Sequence, residues 1–384
     1  MVARRRSIAI YYPYFLGGGA EAVCLWMLQA LCQDYDLTLY TLGALDWEGM
    51  NRFYGTDLGD DRLTVKALLP HFLAPWGNQW VANFPLFRKW VIHGVLRWFK
   101  ATTQGYDLVM SGYNGADLGR RGIQYIHWIK VLEGGKQNCN WLSQFSLANL
   151  QKNISLVNSR SVAESVRSTY GIPSQVVYPP VVIPVSQVSW AEKTDGFICS
   201  GRLVAAKSPH RVIEILQQVR QKGYPIHLHL TGGGGGVYAQ GYQRFLMDLI
   251  AKNKDWITLH QNLSYQAYAE LLSTCRYGIH IKQEPFGIAI AEMVKAGILP
   301  FVRSEGGQVE IVGEEAALLF SNDGEAVEKI IQVLSRPDLQ QATIDRLQQC
   351  KALFSADRFC QEIQQVVAQY FGDRPPDFLA NPPN

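Results

Sequence analysis

The chain of 384 residues is 47% hydrophobic and 18% charged, a balance that excludes a disordered or low-complexity protein and suits two domains of about 150 to 200 residues each. A net charge of +3, much of it supplied by Arg4-Arg5-Arg6, gives no reason to expect nucleic acid as a partner. Seven cysteines without a C-x-x-C pair argue against a zinc site or a disulfide framework and for a cytoplasmic protein. The opening arginines run straight into a strand rather than a signal-peptide core, and no run of about 18 apolar residues predicts a membrane-spanning helix.

In chain order, Ser7 to Tyr12 reads as a strand, Ala20 to Gln33 as a helix and Leu37 to Thr41 as a second strand, the start of a doubly wound sheet. Gly17, Gly19 and Ala22 satisfy G-x-G-x-x-A. A nicotinamide dinucleotide is nevertheless disfavoured: the glycines follow bulky Pro13-Tyr14-Phe15-Leu16, and no acid ends the second strand to hold a ribose. Such a loop can instead let the backbone approach a ligand or simply turn tightly. From Leu69 to Lys100 aromatic residues (Phe72, Trp76, Trp80, Phe84, Phe87, Trp90, Trp98, Phe99) are interleaved with Arg88, Lys89, Arg97 and Lys100. A helix over about 85–100 with this pattern fits either a lipid interface or a pair of core helices with snorkelling cations.

Tyr106 to Ser111 and Gly122 to Trp128 read as further strands, with His127 at a carboxyl end, where open α/β sheets place ligands. Asn158-Ser159 reads as a helix cap. The Pro-rich segment Pro179 to Pro184 and the polar Ser186 to Asp195 form the expected hinge between domains 1–185 and 186–360, with 361–384 as a returning helix and tail. In the second half a strand ends at Gly201-Arg202, and Lys207 follows before a helix starting near His210, so both cations can reach one anion. His227 and His229 share one face of the next strand and, lacking a third ligand nearby, read as structural. The five glycines from Gly232 carry no chemistry in their side chains.

The strand Tyr277 to Ile281 leads into Glu284-Pro285-Phe286-Gly287-Ile288-Ala289-Ile290-Ala291-Glu292. Pro285 and Gly287 predict a turn, and the apolar run after Gly287 a buried helix whose free N–H groups suit a diphosphate. Glu284 is expected on the loop and Glu292 about two turns inside, both able to accept hydroxyl hydrogens.

This E-x7-E spacing resembles the signature of retaining glycosyltransferases with two Rossmann-like domains facing each other across a cleft, the GT-B architecture, and most closely glycosyltransferase family 4. Gly18-Gly19-Ala20-Glu21, Tyr125-Ile126-His127, Val176-Val177-Tyr178-Pro179-Pro180-Val181, Gly201-Arg202 and Lys207 resemble the same family. The resemblance implies a hexose transferred from a nucleotide-diphosphate sugar to a glycan or lipid-linked acceptor. It implies catalytic roles for His127, Arg202, Lys207 and Glu284, and donor binding by Gly18, Gly19, Arg202, Lys207, Glu284, Phe286, Gly287, Ile288 and Glu292. Asn262 and Leu263 would lie near the base. Tyr178-Pro179-Pro180 and Tyr125-x-His127 resemble users of GDP-mannose, with UDP-glucose also open. Asp34-Tyr35-Asp36 matches the metal-binding D-x-D of a different fold, but it precedes a strand on the far side, so no metal or other cofactor is expected. Peripheral contact of 72–100 with the cytoplasmic face of a membrane is a further expectation. The rival readings are a non-catalytic sugar-nucleotide binder and a nucleotide-sugar epimerase.

Overall fold

The computed structural model describes residues 4–129, 140–186, 188–233 and 240–372. The chain divides into two compact units, one running to Pro180 and resuming at Ser355, the other Val181–Phe354. The division falls a few residues before the boundaries expected at 185/186 and 360/361. Its physical basis is local: the Val181 N–H donates to the Phe354 carbonyl at 2.9 Å and closes the second unit, while Phe359, just beyond, is already buried in the first.

The first unit holds β1 (Ser7–Tyr11), β2 (Asp36–Thr41), β3 (Thr64–Ala67), β4 (Leu108–Ser111), β5 (Ile123–Ile126), β6 (Ile154–Val157) and β7 (Ser174–Val176). They form one sheet in the order β3-β2-β1-β4-β5-β6-β7, with every ladder parallel. Alternation along β1 explains the layering. Ile8, Ile10 and Tyr12 face one core, with the helices Gly19–Leu31 and Ala356–Phe371. Ala9 and Tyr11 face another, with Val91, Val95, Leu96 and Phe99 of the helix Pro85–Thr102. Strands buried on both faces need the near-continuous apolar sequence that β1, β4 and β6 carry. The last helix is fixed to the first unit by Phe359, Ile363, Val366 and Val367 and by a 2.8 Å hydrogen bond from Gln364 to the Ala30 carbonyl.

The second unit holds β8 (Thr194–Ser200), β9 (His227–Thr231), β10 (Ile257–His260), β11 (Cys275–His280), β12 (Leu299–Arg303) and β13 (Leu319–Phe320). Their order is β10-β9-β8-β11-β12-β13, again all parallel. In each sheet the order reverses once, between β1 and β4 and between β8 and β11. Loops at the carboxyl ends of strands flanking such a reversal diverge and leave room for a ligand. Asp34-Tyr35-Asp36 lies at the other end, leading into the first residue of β2. Among the described residues no helix is long and apolar enough to cross a membrane.

Candidate functional site

The reversal between β8 and β11 gathers the charged residues of the second unit. Arg202 and Lys207 follow β8, and Glu284 follows β11. The Lys207 ammonium donates to Glu284 Oε1, and His280, the last residue of β11, sits 3.1 Å from the same oxygen. The sequence placed Lys207 where it can reach an anion, and the structure supplies one within the chain. Arg202 is exposed and, among the described residues, its guanidinium has no hydrogen-bonded partner. Burial alone would raise the Glu284 pKa, but the hydrogen bonds and charges of His280 and Lys207 outweigh it and hold the carboxyl at about 2. Glu284 is therefore a carboxylate throughout the physiological range.

The loop carrying Glu284 is clamped by a residue that the sequence reading missed. Gln308, fully buried, accepts the Glu284 N–H at 2.7 Å and donates to the Lys282 carbonyl at 3.1 Å. Gly307 donates to the Glu284 carbonyl at 2.9 Å. This approach needs glycines, because a Cβ on Gly306 would lie 2.6 Å from the Glu284 carbonyl oxygen and one on Gly307 2.2 Å from that of Pro285. The only hint in sequence was the polar turn Ser304-Glu305-Gly306-Gly307.

Gly287 (φ 114°) turns the chain into the helix Ile288–Lys295. Its carbonyl accepts from the N–H groups of Ile290 and Ala291, no side chain caps the helix start, and Ile288 and Ala289 are half-buried. Their N–H groups precede the intrahelical ladder, the place where a helix end can receive an anion. The Phe286 ring is buried against Phe354, with centroids 5.6 Å apart, so Phe286 can reach a ligand only through its main chain. Glu292 is the fifth residue of the helix, one turn inside rather than two, because the helix starts at Ile288. Tyr268 donates to its Oε2 at 3.1 Å, whereas the Tyr265 hydroxyl lies 3.5 Å from Oε1 and only 2.6 Å from the Val182 carbonyl. Burial with so little compensation pushes the Glu292 carboxyl up to about 7.

Other sequence candidates in this unit resolve into structure. A Cβ on Gly232 (φ 148°) would lie 1.9 Å from the Gly201 carbonyl oxygen, so the first of the five glycines permits contact between two loops. Residues 234–236 lie outside the described residues, as does the tail from 373. His229 meets His260 at 3.1 Å and His227 meets Thr258 at 2.9 Å. Asn262 sits exposed in the loop after β10 with φ 54°.

In the first unit, Gly18 (φ 155°) is the residue before the helix Gly19–Leu31, and a Cβ there would meet open space. Glu21 fastens this turn. It is buried, its Oε1 accepts the N–H groups of Leu16 and of Gly17, the latter at 2.7 Å, and Tyr54 donates to Oε2 at 3.1 Å. Burial raises its pKa, and the hydrogen bonds oppose that rise. His127 follows β5. Its N–H donates to Asn114 Oδ1 at 3.0 Å, and Asn158 donates to its carbonyl at 3.0 Å. Asn158 thus steadies His127, while Ser159 caps the helix Arg160–Tyr170. Burial lowers the His127 pKa to about 4, so the ring is neutral. Nε2 lies 2.9 Å from the Gly112 carbonyl, which can only accept; Nε2 therefore carries the hydrogen and Nδ1 is left as an acceptor.

Residues 186–349 match the model of the family Glycosyl transferases group 1. The matched stretch contains Arg202, Lys207, Glu284, Gly287 and Glu292 and lies within the second unit. No curated protein matches the chain significantly. Among solved structures, that of Anabaena HepE in complex with UDP matches with a TM-score of 0.69 and 16% identity, covering 95% of this chain and all (100%) of that one. Sucrose-phosphate synthase from Thermosynechococcus elongatus matches with a TM-score of 0.66, 16% identity and coverage of 96% and 100%. WaaG, described as a glycosyltransferase involved in lipopolysaccharide biosynthesis, matches with a TM-score of 0.63, 13% identity and coverage of 93% and 99%. These likenesses establish the fold: two Rossmann-like domains of the GT-B kind.

Proposed function

We propose that the protein transfers a hexose from a nucleotide-diphosphate sugar to a glycan or lipid-linked acceptor, with retention of configuration at the sugar. The observation that carries this reading is the charge cluster Lys207–Glu284–His280 beside an uncapped helix start, at the sheet reversal of the unit that matches the group 1 model. Breaking the bond from the sugar C1 to the phosphate oxygen builds negative charge on the departing nucleoside diphosphate. Arg202, Lys207 and the N–H groups of Ile288 and Ala289 are suited to hold that charge as it develops.

In this reading the acceptor hydroxyl oxygen forms the new bond to C1 from the face the diphosphate leaves, and its proton passes to the leaving phosphate. No separate carboxylate base is then required. Glu284, ionised and clamped by Gln308, accepts hydrogen bonds from hydroxyls of the transferred sugar, and Glu292 accepts those of the ribose. His127 is neutral, so its Nδ1 can accept a sugar hydroxyl but cannot supply a proton. Gly18 and Gly19 carry no side chain, which suits close approach of their turn to a donor phosphate. The donor chemistry draws on no metal or cofactor in this account.

HepE has been solved with UDP, which makes a UDP-sugar the first donor to try, ahead of GDP-mannose. The test is a melting curve of the purified protein with UDP, GDP, ADP, their sugars and NAD. A ligand at a hundred times its dissociation constant adds about 2.7 kcal/mol of stability. A shift with UDP or GDP followed by sugar transfer to an added glycan or lipid-linked acceptor supports the proposal. A response to NAD alone, or to no nucleotide, contradicts it; binding without transfer identifies a non-catalytic binder, and conversion of the sugar without an acceptor an epimerase.

A further inference from the structure

More than half of the exposed large apolar side chains among the described residues fall between Leu68 and Trp90 of the first unit. Phe72, Trp76, Trp80 and Phe84 are spaced four apart and are 74%, 67%, 50% and 52% exposed, so they form one outward row along the helix Ala74–Asn83 and its ends. The opposite side of that helix, Ala74, Gly77 and Val81, is buried. The next helix, Pro85–Thr102, repeats the arrangement. Val91, Val95, Leu96 and Phe99 pack into the core, and Leu86 (60% exposed) and Trp90 (54%) point outward. A soluble surface rarely gathers such a patch unless something covers it.

Charge indicates what covers it. No Asp or Glu occurs between Asp61 and Asp107. Several cations of this stretch serve the fold: Lys100 pairs with Asp117, and Arg88 donates to the Val81 and Ala82 carbonyls that end the preceding helix. Lys89 and Arg97 are different. Arg97 is exposed and Lys89 half-buried, neither has an ion-pair partner among the described residues, and helical spacing sets Arg97 on the stripe of Leu86 and Trp90 with Lys89 beside it. Tryptophan rings flanked by outward cations, with no acid to repel phosphate, match the interfacial zone of an anionic bilayer, where indole rings sit at headgroup depth.

We propose that the surface formed by Phe72, Trp76, Trp80, Phe84, Leu86 and Trp90, with Lys89 and Arg97, docks the protein onto an anionic lipid membrane. It lies flat on the interface and does not cross it. The surface uses none of the donor residues, so this inference stands apart from the transferase reading.

The test is co-sedimentation of the full chain with vesicles of phosphatidylglycerol and phosphatidylcholine in equal parts, against vesicles of phosphatidylcholine alone. The wild type sediments with the anionic vesicles and less with the neutral ones. Trp76→Ser combined with Trp80→Ser loses binding to both and still melts in one cooperative transition, slightly lower because Trp80 gives up its ring contacts with Phe84 and Phe87. Lys89→Gln combined with Arg97→Gln weakens only the anionic arm, by about five-fold per cation at low salt. A wild type that stays in solution with both vesicles overturns the proposal, as does a double Trp variant that binds undiminished. A concentration-dependent dimer that the Trp variant abolishes would assign the face to a second copy of this chain and overturn it equally. Retained UDP-induced stabilisation in these variants keeps a failure here distinct from a failure of the transferase reading.

Discussion

In the second unit the loops after β8, β11 and β12 draw Lys207, Glu284 and the buried amide of Gln308 into one charge-paired cluster. In the first unit the corresponding loops after β1, β4 and β5 hold Glu21 bonded into its own turn and His127 held neutral. The same doubly wound topology thus places a Lys–Glu ion pair at one sheet reversal and a neutral imidazole at the other. The contrast fits the proposed division of work: the second unit offers cations for a diphosphate beside carboxylates for hydroxyls, and the first offers the neutral ring of His127 as a further hydroxyl acceptor. The exposed aromatic face on the first unit alone extends the difference from chemistry to location.

The comparison breaks most readily at Glu284. Glu284→Gln is expected to lower turnover by about a hundred-fold, the equivalent of the upper end of about 1.5–3 kcal/mol for a hydrogen bond to a charged group. The carboxyl is held at about 2 against an ordinary 4.5. A depressed folded pKa means stability that is fully present above pH 4.5 and lost as the pH falls toward 2, about 3 kcal/mol in all. Acid titration of the melting temperature should show that loss in the wild type and a shallower one in the variant.

Glu292 sharpens the comparison by carrying the opposite sign. Its carboxyl is raised from 4.5 to about 7, so ionising it costs the folded state stability as the pH rises through that window, about 3 kcal/mol. Glu292→Gln should therefore melt higher than the wild type above pH 7 and converge with it in acid. Nucleotide affinity of the wild type should climb with pH through about 7, as the carboxylate forms, and stay level in the variant.

His127→Asn tests the neutral side with a smaller effect. Turnover falls about ten-fold, one lost hydrogen bond's worth of about 1 kcal/mol or slightly more, with UDP affinity unchanged. Because the ring titrates near 4, the variant's pH–rate profile between pH 5 and 8 should have the wild-type shape. A lost inflection in that range would show an imidazolium at work and erase the contrast between the units.

The elements that position the charged site were legible because their signals are local. Apolar runs gave β1, β8 and β11, and Pro285-Gly287 gave the turn before the helix. Strands β3, β7 and β13 escaped notice: they are short, and the half-buried Thr64–Ala67 and Ser174–Val176 lack a sustained apolar run. The helix Trp47–Tyr54 was readable in principle from Asp46 as its cap and Gly55 (φ 70°) after its end. Gln308, His280 and Glu21 were missed as partners because each acts through long-range or turn geometry that spacing does not encode; Gln308 lies 24 residues from the loop it clamps. The aromatic stretch was noticed, but only exposure separates an outward row from a core helix.

The central claim is that Lys207 and its surroundings hold the diphosphate of a nucleotide donor, and calorimetric titration of UDP into the wild type and into Lys207→Ala tests it directly. The account predicts a single site in the wild type, weakened about ten- to hundred-fold in the variant, or about 1.5–3 kcal/mol for a lost charged hydrogen bond. Equal affinity in the two proteins, or a wild type that binds neither UDP nor GDP, would contradict it.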